Sequence, residues 1–291
     1  MEGFNTETLY NQSKRKHSLI NKKIIARVLG ILLFLEAIMF LICALVSWYY
    51  QEKEAFTFLQ TAGINTLVSI ILILLSRGAE RRMNKRDGYC IASLAWVLFS
   101  AFGMLPFYLS GSVDSITNAF FETMSGFTTT GATIMDNIDS QPHGILFWRN
   151  LTNLIGGLGI VSFALVLLPI FNEGNVQLFS AEATGVTQNK LHPKISIMIK
   201  QIWGVYLLIT LLAAVLLRVG GMNWFDAVCH SFATIATGGY STRQASVAYW
   251  NSPFIEYIIS IFMIIGGLNF SLIFLLSLIH ISEPTRQEAI S

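Results

Sequence analysis

The sequence predicts an all-α polytopic membrane protein: two N-terminal helices, then two units of helix, re-entrant half-helix and helix. Three observations carry that reading. The 291 residues are 53% hydrophobic and only 12% charged, against roughly a quarter charged in soluble domains. The apolar residues are gathered into runs long enough to cross a bilayer, which takes about 20 residues. Two Thr/Gly stretches, FTTTGATIM at 127–135 and ATIATGGYSTR at 233–243, interrupt the apolar sequence at related positions.

The apolar runs fall at 24–50, 57–76, 89–110, 144–171, 198–217 and 253–279. The first follows a basic leader containing Lys14, Arg15 and Lys16. It is too long for the apolar region of a signal peptide and no small-residue cleavage site stands out, so it reads as a retained span. Lys and Arg in short loops set the orientation. They are frequent in residues 1–27, in 77–88 (Arg77, Arg81, Arg82, Lys85, Arg86) and in 172–200 (Lys190, Lys194, Lys200), while the alternate connections hold only Lys53, Arg149, Arg218 and Arg243. The basic loops and the N-terminus are therefore expected on the cytoplasmic side. Cys43, Cys90 and Cys229 have no metal-ligand spacing and read as core thiols.

The outer connections, 111–143 and 218–252, each contain an amphiphilic stretch too short to cross: DSITNAFFETMSGF at 114–127 and NWFDAVCHSFATIA at 223–236. Asp114 or Ser112 in the first, and Asn223 in the second, supply helix-starting chemistry. Each stretch then runs into a Thr/Gly segment, the pattern of a half-helix that enters the membrane and returns as extended backbone. Setting Ala119 against Ala227 places Thr129 on Thr237 and Gly131 on Gly239, and IGGLGI at 155–160 answers IGGLNF at 265–270. The unit thus recurs about 110 residues later.

Non-helical backbone at membrane depth is tolerated only where it is buried in protein or lines a wet cavity. There, an extended Thr/Gly segment offers carbonyl oxygens in place of a cation's water shell. Glycine allows dihedrals that turn successive carbonyls toward one axis, and threonine adds a hydroxyl. The C-terminal dipole ends of the half-helices favour a cation at the same place. A lone TTTG is equally a small-residue packing face between helices; the duplicated half-helix and following span favour the filter.

FETMSGFTTTGATI, FWRNLTNLIGGLGI at 147–160, and FATIATGGYST with IGGLNF resemble the TrkH members of the Trk/Ktr/HKT potassium-transporter superfamily, over roughly residues 20–275. The resemblance implies a potassium-uptake subunit of a bacterial inner membrane, not an enzyme, with four linked repeats around one pore and two extra N-terminal spans. On that pattern 1–23 is a basic cytoplasmic N-terminus, 24–88 the extra spans, 89–171 the first pore-loop repeat, 172–197 a cytoplasmic connection and 198–275 the second repeat. Carried over by position, the first filter segment is Thr129, Thr130, Gly131 and Ala132, followed by Thr133; the second is Thr237, Gly238, Gly239 and Tyr240, followed by Ser241.

In plant members a serine in place of the first filter glycine accompanies sodium transport, so Gly131 favours potassium as the transported ion, with no cofactor. The implied partners are the lipid bilayer, a second copy forming a homodimer at full length, and a TrkA-like cytosolic nucleotide-binding subunit, with no nucleic acid. Two of the four repeats are missing, and LSLIHISEPTR at 276–286 reads like a translated sequencing adapter. The native sequence is expected to stop near Leu275, leaving 276–291 a non-native tail and the fragment inactive alone. A sodium-accepting transporter and a secondary solute transporter with broken midplane helices are the rival readings.

Glu36, mid-span, reads either as a functional ionisable group or as a packing group bonded to a neighbouring helix. The outer acids Glu52, Glu54, Asp114, Glu122, Asp136, Asp139 and Asp226 read as solvated loops and caps or as charges that concentrate cations. Glu122 lies one turn before the filter, where replacement by Gln is expected to lower flux at low external potassium. Trp48, Tyr49, Tyr50, Trp148, Trp224 and Trp250 read as interfacial anchors, and Arg149 and Arg218 as snorkelling or paired.

Overall fold

The computed structural model describes residues 20–78, 85–171 and 191–268. The basic leader at 14–16, Arg81 and Arg82, most of the 172–197 connection and the 276–291 tail lie outside the described residues. Among the described residues all regular structure is helical.

Helices α1 (Lys22–Tyr49) and α2 (Glu54–Leu75) form an N-terminal hairpin. α1 starts at Lys22, ahead of the predicted 24, because Asn21 caps it: its side-chain oxygen accepts from the Ile24 N–H at 3.3 Å, and its own N–H donates to Asp87 at 2.8 Å. Gly30 sets the helix approach. The Ser69 hydroxyl donates to the Gly30 carbonyl at 2.7 Å, and a Cβ at Gly30 would stand 3.0 Å from Ile73. Lower in the same seam Glu36, 3% exposed, accepts from the Asn65 amide at 2.9 Å. The mid-span acid is thus bonded to the neighbouring helix, the packing alternative of the two sequence readings.

The predicted span 89–110 is two helices, α3 (Lys85–Gly103) and α4 (Leu105–Leu109), divided at Met104. Pro106 is the cause: its ring opposes a continuous helix through the preceding turn and it has no N–H to donate. Beside the break, the carbonyl of Gly103 accepts from the Trp148 indole at 2.9 Å. Trp148 is fully buried against Phe40, ring centroids 4.7 Å apart, and so is a core residue rather than an interfacial anchor. Trp48, Tyr49 and Trp224 are more than half exposed, as anchors at a lipid boundary would be.

The rest of the chain contains the unit twice. Short α5 (Ile116–Phe127) leads through an irregular segment into α6 (His143–Phe171). After α7 (Leu191–Val219), short α8 (Trp224–Ile235) leads through a second irregular segment and a 3-10 turn (Ser246–Trp250) into α9 (Pro253–Gly267). α7 begins inside the predicted cytoplasmic connection. The half-helix starts differ: Asn223 caps α8, accepting from the Asp226 N–H at 2.7 Å, whereas α5 starts at Ser115 with no side-chain cap. Neither Asp114 nor Ser112 plays the capping part expected of it.

α6 is the hub, packing against α1, α2, α3, α5, α7 and α8. Among the described residues four stretches are long and apolar enough to cross a membrane: Lys22–Tyr49, Glu54–Leu75, Arg86–Leu109 and Ile202–Val219. Leu45, Leu67, Leu208 and Leu211 stand exposed on the outward faces, an exterior suited to acyl chains.

Asn65→Leu deprives the buried Glu36 carboxyl of its partner and is expected to cost about 1–3 kcal/mol, read as a lower unfolding temperature of the purified protein in detergent. Glu36→Gln is expected to stay near the parent in both stability and ion uptake. Lost uptake in well-folded Glu36→Gln would assign the acid to transport instead.

Candidate cation site at the half-helix ends

The two half-helices end in the same way. Thr129 and Thr237 both have φ +53°, and Gly131 and Gly239 follow at +75° and +82°. At the end of α5 the Thr130 N–H donates to the Ser125 carbonyl at 2.9 Å and the Thr129 N–H to Gly126 at 3.0 Å. At the end of α8 the Gly238 N–H donates to Ala233 at 2.8 Å and the Thr237 N–H to Thr234 at 3.0 Å. This is the Schellman helix ending, which ordinarily places glycine in the left-handed position. Here a β-branched threonine occupies it twice, an outlier that costs about 1–3 kcal/mol at each site. The register of 129 on 237 and 131 on 239 matches the sequence alignment of the two units.

That ending uses up the last helical carbonyls and leaves the next ones free. The carbonyls of Thr129, Thr130 and Gly131, and of Thr237, Gly238 and Gly239, accept no hydrogen bond from any described residue. Thr128, Thr130, Thr237 and Gly239 are exposed, and both half-helices direct their negative dipole ends to this place. The segments lie side by side: a Cβ on Gly131 would collide with the Gly238 carbonyl. Ala132 differs from the expectation placed on it. Its carbonyl already accepts from the Ser125 hydroxyl at 2.6 Å, because the chain there has begun its return along α5. Tyr240 is buried, with its ring turned into the first unit.

Behind the segments sits a buried clamp. Glu122 is fully buried and accepts from the Thr133 hydroxyl at 2.9 Å, the Ile134 N–H at 2.8 Å and the Arg149 guanidinium at 2.6 Å. Arg149, 1% exposed, also donates to the Ser241 carbonyl at 2.9 Å, and its guanidinium lies 3.7 Å from the centre of the Tyr240 ring. The Tyr240 hydroxyl donates to the Glu122 carbonyl at 2.6 Å. One arginine on α6 therefore joins α5 to the second return segment, and its partner Glu122 holds the first.

The register that pairs the units also sets His230 on Glu122 and Ser241 on Thr133. The substitution is conservative in geometry: His230 Nδ1 lies 2.8 Å from the Asp226 carbonyl and Nε2 lies 3.0 Å from the Ser241 hydroxyl. A carbonyl can only accept, so Nδ1 carries the proton and Nε2 accepts from Ser241. Each unit thus braces its return segment by a hydroxyl bonded to a half-helix side chain.

Glu122 and Asp226 are consequently not outer solvated acids. Asp226 accepts from Thr242 at 2.7 Å and from Arg243 at 3.1 Å, and Glu52 caps α6 by accepting from the N–H groups of His143 and Gly144 at 2.6 and 3.0 Å. Asp114, Asp136 and Asp139 are the exposed members of that set. Arg149 is paired and buried, while Arg218 is exposed and donates to the Met222 carbonyl at 3.1 Å.

The repeated IGG has a steric reason. A Cβ on Gly156 would meet the Phe127 carbonyl, and one on Gly266 the Ile235 carbonyl, so each glycine seats a long helix against the last residue of its half-helix. Asn153 on α6 is fully buried with its amide against Gly238, and neither amide atom is bonded to any described residue. His230 and Asn153 are the site residues that sequence reasoning passed over, and Arg149 was read only as snorkelling or paired. The polar spacing RNLTN inside an apolar run was the available signal.

Arg149→Met leaves Glu122 buried without its counter-charge and is expected to destabilise the purified protein by about 3–5 kcal/mol. Arg149→Lys should rescue little, since a lysine cannot reproduce the guanidinium fork. Glu122→Gln is expected to act through the same loss of folded protein, not through weaker apparent affinity at low external potassium. A purely affinity-based defect in stable Glu122→Gln would return this acid to the pore mouth.

The TrkH family model, described as a cation transport protein, matches residues 54–287. The Trk system potassium uptake protein TrkH of Escherichia coli (strain K12) is 41% identical over 252 residues, covering 86% of this chain and 52% of that protein. The TrkH protein of Halomonas elongata is 38% identical over 254 residues, covering 87% and 53%. The crystal structure of the potassium transporter TrkH from Vibrio parahaemolyticus matches with TM-score 0.76 and 35% identity, over 87% of this chain and 51% of that one. The chain spans about half the length of the relatives it matches. With the family model matching most of its residues, this chain belongs to the TrkH family of cation transport proteins.

Proposed function

We propose that this chain supplies two segments of a potassium-selective filter in a TrkH-type uptake system. The observation that carries the reading is the pair of matched, unbonded carbonyl sets, 129–131 and 237–239, lying side by side at two half-helix ends. Carbonyls in this arrangement replace the hydration shell of a monovalent cation, and the names of the relatives, potassium uptake proteins, point to K+. Two segments only half-surround an ion. The exposed side of Thr130, Thr237 and Gly239 is then where further segments complete the ring, and uptake belongs to the whole transporter.

The driving force in this reading is the membrane potential or a coupled ion gradient; the potential contributes about 2.3 kcal/mol per elementary charge per 100 mV. Lys22, Lys23, Arg27, Arg77 and Arg86 gather at the shared end of α1, α2 and α3, which by the positive-inside tendency supports reading that end as the cytoplasmic one in a bacterial inner membrane. A TrkA-like nucleotide-binding subunit and a second transporter copy are the partners this family reading brings with it.

The test is Rb+ and Na+ flux into liposomes containing the full-length transporter, with Gly131→Ser and Gly239→Ser. Both glycines hold left-handed φ values that a serine resists, and only Gly131 abuts the neighbouring segment. Rb+ over Na+ preference is expected to fall by roughly tenfold, equivalent to about 1.4 kcal/mol of lost discrimination, with Gly131→Ser the more severe. Parent selectivity in both variants would sink the filter assignment.

A further inference from the structure

Helices α2 and α3 both pack along α1 but make hardly any contact with each other. Between them runs an open groove of about 520 Å³, with Ala26 and Leu29 of α1 as its floor and Leu72 of α2 and Leu94 and Leu98 of α3 on its walls. Lys22 is the charged residue in its lining. From Cys90 to Phe102, both in the lining, the groove follows α3 for about 18 Å at 1.5 Å per residue. One leaflet's hydrocarbon is about 15 Å deep, half the core of a bilayer.

We propose that this groove holds one acyl chain of an anionic phospholipid from the leaflet on the basic side of the protein, with the headgroup phosphate at Lys22. The lining is apolar along its length and offers a soluble ligand nothing to hydrogen-bond, whereas a methylene chain fills a long slot that opens sideways. The charge sits at one end only. Lys22, Lys23 and Arg27 are exposed at the start of α1, and Arg77 is exposed just past the end of α2. An acyl chain lying along α3 therefore brings its headgroup to a cluster of cations. Basic pockets at the ends of membrane helices select anionic headgroups in this way, and the lysine stem can lie along the apolar mouth while its ammonium reaches the phosphate. The proposal depends on the chain being in a bilayer and not on which ion it carries.

Native mass spectrometry of the full-length transporter in mild detergent, with added phosphatidylglycerol or phosphatidylethanolamine of matched chains, tests it. The parent is expected to retain phosphatidylglycerol several-fold better than phosphatidylethanolamine. Lys22→Glu, at an exposed position that threatens folding little, should cut phosphatidylglycerol retention about fivefold or more, the factor one surface basic residue contributes. Leu94→Trp fills the groove from an already exposed position and should reduce retention of both lipids. Unchanged retention in both variants would overturn the proposal, as it would if residues 1–19 or a second protein copy covered the groove. So would a loss with Lys22→Glu and none with Leu94→Trp, the pattern of headgroup binding without a seated chain. Ion flux is not read in this experiment, so a failed filter assignment leaves its outcome interpretable.

Discussion

Arg149 enters the interior from α6 with its charge met by Glu122 at 2.6 Å, a second donor on the Ser241 carbonyl at 2.9 Å and its planar face over the Tyr240 ring. A buried guanidinium is tolerated only when its donors and charge are satisfied together. Those partners belong to α5 and to the return segment of the second unit, while Glu122 also fixes Thr133 and Ile134 of the first. If any of these elements moved, a buried charge would lose its partner. The relative position of the two irregular segments is therefore set by this one cation, and their free carbonyls inherit that placement.

The strain at Thr129 and Thr237 follows from the same arrangement. A left-handed threonine persists only where its surroundings over-determine it. Here the half-helix ahead is closed by the Schellman bonds, and Gly156 or Gly266 behind lets a long helix press on its last carbonyl. The turn reverses the chain and frees the carbonyls that follow. Local backbone strain, close helix packing and an oxygen-rich surface at the dipole ends are thus one feature seen at three scales.

The sequence made the spans, the duplicated unit and the register of 129 on 237 legible, because each rests on periodicity or on repeated residues at fixed spacing. The division of the third span at Met104 was also within reach, since Pro106 inside an apolar run is a known helix breaker. Glu122 and Trp148 were not. Whether an acid beside a half-helix end is solvated or clamped depends on a partner 27 positions away, and Trp148 faces inward to donate its indole N–H to Gly103, 45 positions earlier. Ala132 illustrates a finer limit. A filter-like residue loses its free carbonyl to a serine seven positions earlier, which no spacing rule reveals.

The central claim is that the carbonyls of 129–131 and 237–239 line a cation site. Anomalous diffraction from crystals of the full-length transporter grown with Tl+ tests it most directly. A Tl+ peak facing the carbonyls of Thr130, Gly131, Gly238 and Gly239, diminished by competing K+ and little affected by Na+, is the predicted result. Strong Tl+ peaks elsewhere, with none at these carbonyls, would contradict the account.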